Sequence, residues 1–186
     1  MDLLNHLLAQ VAALSDAQRL YRLESELGGS CVVERWCGHD ALGSHLLTEV
    51  DVLSTDDTVA LETLLETPAT LVARTADGGQ WKRSGLVYGA RCLGGDGGLV
   101  RYRLRLASWT WWLQHARSSR VFQERSVRQI VDEVLQGHGE LANWRWAEGC
   151  DALLGGRIRS YCVQYRESDL DFVQRLLAEE GLGWRL

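Results

Sequence analysis

Apolar positions change their spacing along this chain. Leu3, Leu4, Leu7, Leu8, Val11 and Leu14 recur at helical intervals, which predicts a short amphipathic helix within an amino-terminal extension over residues 1–20. From Tyr21 the texture becomes that of strands. "YRLES", "CVVERWCG", "HLLTEVDVLS", "ATLVART", "QWKRSGLVYGARCL" and "LVRYRLRLAS" are short apolar runs separated by turns, and the turns "ADGG" and "GGDGG" supply residues that accept positive φ and close hairpins. Such a series predicts an antiparallel meander closing into a small barrel over residues 21–108. Within "LVRYRLRL", Val100, Tyr102, Leu104 and Leu106 share one face, and Leu99, Arg101, Arg103 and Arg105 share the other. That alternation is the mark of a half-buried strand.

Residues 109–186 read differently, as a helical connector and the start of a second domain. Ser126 followed by Gln129 forms a capping-box pattern, Val127, Ile130, Val131, Val134 and Leu135 make one apolar stripe, and Gly137 supplies a stop. A strand is expected around "NWRWA", a loop at "LLGGRI", a strand at "RSYCVQY", and a helix over "ESDLDFVQRLLAEEG" with Leu170, Val173, Leu176 and Leu177 on one side. The final "LGWRL" begins another strand. Ending inside a strand reads as a fragment of something longer. The fold class expected is α+β.

The 186 residues suffice for a core without metal or disulfide support. Twenty Lys and Arg against 25 Asp and Glu give a net charge of −5, which argues against a surface built wholly for a polyanion. The charge is uneven, because residues 99–128 hold seven Arg and one acid, Glu124. Trp109, Trp111 and Trp112 lie within the same strip. Arginines could neutralise phosphates there and indoles could stack on bases. The same residues serve equally as an interface or as structure, and the candidates are Arg101, Arg103, Arg105, Trp109, Trp111, Trp112, Arg117 and Arg120. Eight Trp against two Phe favour barrel corners and interfaces, where a flat ring is buried and its N–H stays bonded.

Five cysteines, scattered and odd in number, do not form a secreted disulfide framework, which suggests synthesis in a reducing cytoplasm. The amino-terminal run lacks Lys or Arg before Arg19 and is interrupted by His6 and Gln10, so neither a signal peptide nor a membrane span is expected. Cys31, Cys37, His39 and His45 are the residue types that bind zinc. Their spacing is wrong for it: Cys31 and Cys37 on one strand would share a face roughly 20 Å apart. No metal or cofactor is expected. Paired acids Asp169 and Asp171, or Glu179 and Glu180, read as a solvated helix face, and His115 and His138 as surface or capping groups. No G-x-S-x-G elbow or phosphate loop is present, since "GGDGG" lacks the following Lys and Ser or Thr.

Taken in order, "GHDALGSHLLTEVDVLSTD", the run from "LETLLETPATLVARTADGG" through "SRVFQERSVRQIVDEVL", and "SYCVQYRESDLDFVQRLLAEEGLGWRL" resemble the amino-terminal portion of the VgrG family. These are spikes of the type VI secretion system, similar to contractile-phage tail hubs. The resemblance runs from about Tyr21 to Leu186. It implies a barrel of the phage tail-hub type, a helix-containing segment leading to a truncated second barrel, and a mechanical rather than enzymatic role. The implied partners are the Hcp tube protein, other VgrG subunits in a homotrimer, and effector or adaptor proteins, with no nucleic acid and no stable membrane insertion. Export through the type VI system without a signal peptide is implied too. On this reading the arginine strand closes the first barrel, the Trp cluster packs the turn out of it, and Arg117, Arg120 and Arg125 lead into a helical connector. The alternatives are a nucleic-acid-binding barrel using residues 99–128, or a small hydrolase with an unrecognised site.

Overall fold

The computed structural model describes residues 19–27, 31–96, 98–154 and 156–186; the helix expected over residues 3–14 lies outside them. Among the described residues, those up to Asp40 together with Leu46–Ser108 form one compact unit, and Ala41–His45 with Trp109–Leu186 form the other.

The first unit is an antiparallel sheet of β1 (Tyr21–Glu24), β2 (Cys31–His39), β3 (Leu47–Ser54), β4 (Pro68–Arg74), β5 (Gln80–Asp96) and β6 (Leu99–Ala107). Its strand order is β1-β4-β5-β6-β3-β2. The expected strands are all present, but they do not form a meander, since β1 crosses to β4 and β3 to β6. At the seam, Tyr21 of β1 meets Trp36 of β2 edge-on at 5.8 Å, so the sheet is nearly closed into a barrel. Closure depends on β5, which pairs through Gln80–Leu86 with β4 and through Leu86–Asp96 with β6. Two bulges, between Val87 and Gly89 and between Cys92 and Gly94, bend it around the corner. At Gly85 a Cβ would lie 2.5 Å from the Ala107 carbonyl oxygen, so only glycine lets these strands approach. Val50, Val52, Leu71, Val87, Leu104 and Leu106 fill the interior, and the Tyr102 hydroxyl donates to the Asp56 carbonyl at 2.9 Å.

The second unit is built on an antiparallel pair, β7 (Arg117–Ser126) and β8 (Ile158–Ser168). Its helices are α1 (Thr110–His115), α2 (Val127–Gln136), α3 (Cys150–Leu154) and α4 (Asp169–Glu179). The capping box forms as expected: the Gln129 N–H donates to the Ser126 hydroxyl, and the Ser126 N–H donates to the Gln129 side chain. The α2 stripe packs with Leu170, Phe172, Val173, Leu176 and Leu177 of α4 and with Phe122 of β7 in one core.

Two expectations fail, since neither "NWRWA" nor "LGWRL" is in a strand. Arg117–Ser126 is a strand that runs directly into α2. Residues 142–147 are held instead by side chains: the indole N–H groups of Trp144 and Trp146 both donate to Asp132 Oδ1, each at 2.8 Å. The alternating apolar pattern there was produced by two tryptophans reaching for one carboxylate. Asp132→Ala should therefore cost about 1–3 kcal/mol, because it strands two partly buried donors. Urea melts followed by tryptophan emission check it, and an unchanged midpoint would mean that water replaces the carboxylate at no cost.

Candidate interaction surface

The arginine strand is the first element to build. Period two puts Tyr102, Leu104 and Leu106 in the barrel interior and Arg101, Arg103 and Arg105 outside. The β3–β6 register sets Arg105 opposite Glu49 and Arg103 opposite Asp51, and the β2–β3 register sets Arg35 opposite the same Asp51. Arg103 donates from Nε and Nη2 to Asp51 at 2.7 and 2.9 Å, and Arg35 Nε donates at 2.6 Å. Glu49 lies 3.1 Å from Arg103 and 3.2 Å from Arg105. Glu34, the extra residue at the β2 bulge, accepts two bonds from Arg101, each at 2.6 Å. Asp51 is on the outer face yet only 2% exposed, because the arginine stems cover it.

The hydrogen bond from Arg103 holds the Asp51 carboxyl below its ordinary range against the opposing effect of burial, with Arg35 adding to it, and the Arg103 guanidinium is raised in return. A carboxyl depressed on folding contributes stability that is complete above its unfolded value of about 4 and is lost as pH falls through the lower folded value. Melts at pH 6 and pH 3 should therefore show a smaller acid-induced loss for Asp51→Asn than for the unsubstituted chain. Equal losses would show that the cross-strand cluster carries no such linkage.

The ladder answers the nucleic-acid alternative. The cations of this strand are committed to carboxylates of neighbouring strands, and a phosphate would have to displace them. Among the described residues, nothing in the geometry of this strand favours that reading.

Trp109, Trp111 and Trp112 sit on and just before α1, each partly buried. Trp109 packs on the core of the second unit, while Trp111 stands edge-on to Trp112 at 5.0 Å and lies 4.2 Å from the His115 ring. Arg117 and Arg120 are both on β7 but do different things. Arg120 reaches inward to Asp169 at 3.2 Å, whereas Arg117 lines a surface hollow.

Asp169 overturns two expectations. It is not on a solvated helix face but 1% exposed, at the start of α4. Its carboxylate lies 2.8 Å from His138 Nε2 and accepts from Gln164 Nε2 at 2.7 Å as well as from Arg120. His138 is therefore a core partner rather than a surface cap. A second cluster was also missed. Arg83, 5% exposed, donates to Thr48 at 3.0 Å and lies 5.3 Å from the Trp81 ring centroid and 5.9 Å from that of Trp36. Gly38 makes room, since a Cβ there would sit 2.9 Å from the guanidinium carbon.

The β2 bulge also corrects the thiol geometry, leaving Cys31 buried and Cys37 exposed rather than on one face. Among the described residues no group of three or more His, Cys, Asp or Glu is placed to hold a metal ion, and no helix is long and apolar enough to cross a membrane.

Residues 39–186 match the family described as phage tail baseplate hub (GPD). The type VI secretion system spike protein VgrG1b of Pseudomonas aeruginosa is 33% identical over 172 residues, which is 91% of this chain and 22% of that protein. The spike protein VgrG4b of the same organism is 41% identical over 155 residues, covering 81% of this chain and 18% of its own length. The chain thus spans about a fifth of the length of these relatives. Among solved structures, the E. coli c3393 protein is described as a type VI secretion component with structural similarity to the T4 phage tail proteins gp27 and gp5. It matches with a TM-score of 0.67 at 23% identity, over 85% of this chain and 43% of that one, a likeness of fold.

Proposed function

Because this chain belongs to the phage tail baseplate hub family, we propose that it is the hub part of a VgrG-type spike in a contractile secretion machine. In that role it is mechanical. It sits between the Hcp tube and the needle, joins other VgrG subunits, and helps carry effectors or their adaptors into target cells. It is made in the cytoplasm and leaves through the type VI system. The observation that carries the reading is the family match over residues 39–186 on a nearly closed antiparallel barrel. Arg101, Arg103 and Arg105 brace the barrel wall, and the exposed parts of Trp111, Trp112 and Arg117 are the candidates for meeting partners.

The test is the mass of the purified chain in solution, alone and with purified Hcp. A discrete complex with Hcp supports the reading. A chain that ignores Hcp and instead binds single-stranded DNA with a steep salt dependence would replace it with the nucleic-acid alternative.

A further inference from the structure

Five arginines lie on the β7–β8 pair, and three of them already hold carboxylates. Arg120 is on Asp169, Arg125 on Glu133, and Arg159 on Glu179 and Glu180. Arg117 and Arg166 have no carboxylate within ion-pair reach among the described residues. These two line the same hollow, of about 380 Å³, together with Ser118 and Ser119.

Their meeting is a product of the register. The pairing slips between Ser118 and Ser119, so Arg166 is the extra residue on β8, with φ of +52°. A bulge of this kind turns a side chain out of the regular alternation. The Arg166 N–H donates to the Ser119 hydroxyl at 3.3 Å, and Arg117 Nη1 donates to the Arg166 carbonyl at 3.4 Å, which ties the two guanidinium-bearing residues to one spot. The adjacent acid, Glu167, is occupied by Arg175 at 2.6 Å and does not neutralise them.

Along the same strand face from Ser119 run Val121, Tyr161 and Tyr165, which are 54%, 59% and 68% exposed. The Arg166 guanidinium lies 5.4 Å from the Tyr165 ring centroid. Exposed tyrosine and arginine around apolar side chains make the composition of a binding hot spot. Arg117 and Arg166 lining one hollow with Ser118 and Ser119 suit a planar carboxylate, which an arginine can hold with paired bonds.

The geometry points to a carboxylate-binding site at Arg117, Ser118, Ser119 and Arg166, whose ligand is an extended protein segment carrying an Asp or Glu between apolar side chains. A nucleic acid is the weaker fit. Its affinity needs many unneutralised cations along a track, and here two line one hollow. The site does not depend on the hub assignment: a chain that failed to meet Hcp could still hold an acidic segment.

The experiment follows the arginine Nε signals of the labelled chain in NMR titrations with four probes. These are a hexapeptide alternating leucine and glutamate, the same peptide with glutamine, inorganic phosphate, and a short oligothymidylate. The acidic peptide should saturate and shift Arg117 and Arg166 together, at least about tenfold more tightly than the glutamine peptide, as loss of a charge-assisted bond requires. Arg117→Gln and Arg166→Gln should each remove most of that preference. Arg125→Gln, on the same strand pair but committed to Glu133, should leave it unchanged. Four results would overturn the site: no saturation, equal binding of the two peptides, phosphate or oligothymidylate binding as tightly as the acidic peptide, or an equal loss in Arg125→Gln. Shifts that track protein concentration rather than peptide would reassign the face to contact between copies of this chain.

Discussion

Asp169→Ala should cost the second unit about 3–5 kcal/mol, since each group left unsatisfied around this buried carboxylate costs about 1–3 kcal/mol. Three donors lose their acceptor at once. Arg120 would keep its charge with only the Ser118 hydroxyl beside it, and the Gln164 amide and the His138 ring would lose bonds of 2.7 and 2.8 Å. Gln164 has no slack to give, because it is fully buried and its own Oε1 has no partner among the described residues. The carboxylate also sits in the first turn of α4, where a negative charge is favoured. Asp169→Asn keeps the shape but turns an amide N–H toward the donors, so it should recover only part of the loss. Urea denaturation decides the matter, and a loss below about 0.5 kcal/mol for Asp169→Ala would put the group among exposed positions, where substitutions are that mild.

Why the sequence hid this cluster while showing the fold around it follows from where the information lies. The α2 stripe, the capping box and the alternation of "LVRYRLRL" are local patterns, and each is decided by the period of one element. Asp169 is a different case. Its partners come from β7, from β8 and from the turn after α2, and only the closed unit brings them together. The arginine ladder behaves the same way. The acids in "TEVDV" and the arginines in "VRYRLR" are both plain to see, but their pairing depends on a β3–β6 register set by a crossover rather than by a hairpin. Bulges hid the rest. One residue inserted at Glu34 moves Cys37 to the face opposite Cys31, and one inserted at Arg166 puts that residue on the same hollow as Arg117. Nothing in the composition of either strand announces the insertion. The "NWRWA" segment misled for another reason, since indoles satisfied by Asp132 copy the alternation of a strand without its ladder.

Phe172→Ala should be as damaging, at about 3–5 kcal/mol for a fully buried aromatic ring. The ring stacks on Phe122 of β7 at 5.7 Å, and the Arg175 guanidinium lies 5.2 Å from its centroid, so truncation opens a cavity under one strand. Phe172→Leu, which keeps much of the volume, should be milder, under about 1.5 kcal/mol. Phe122 and Arg120 are alternate residues of β7, and they bind Phe172 and Asp169, which lie three apart on α4. Strand and helix are thus joined by one apolar and one ionic contact side by side. Sites this close share their relaxation, so the Asp169→Ala and Phe172→Ala costs should not add, and the coupling should fall at about 0.5–3 kcal/mol. A double-mutant cycle in urea measures it. Strict additivity would mean that α4 is held to β7 by two independent contacts, each able to fail without loosening the other.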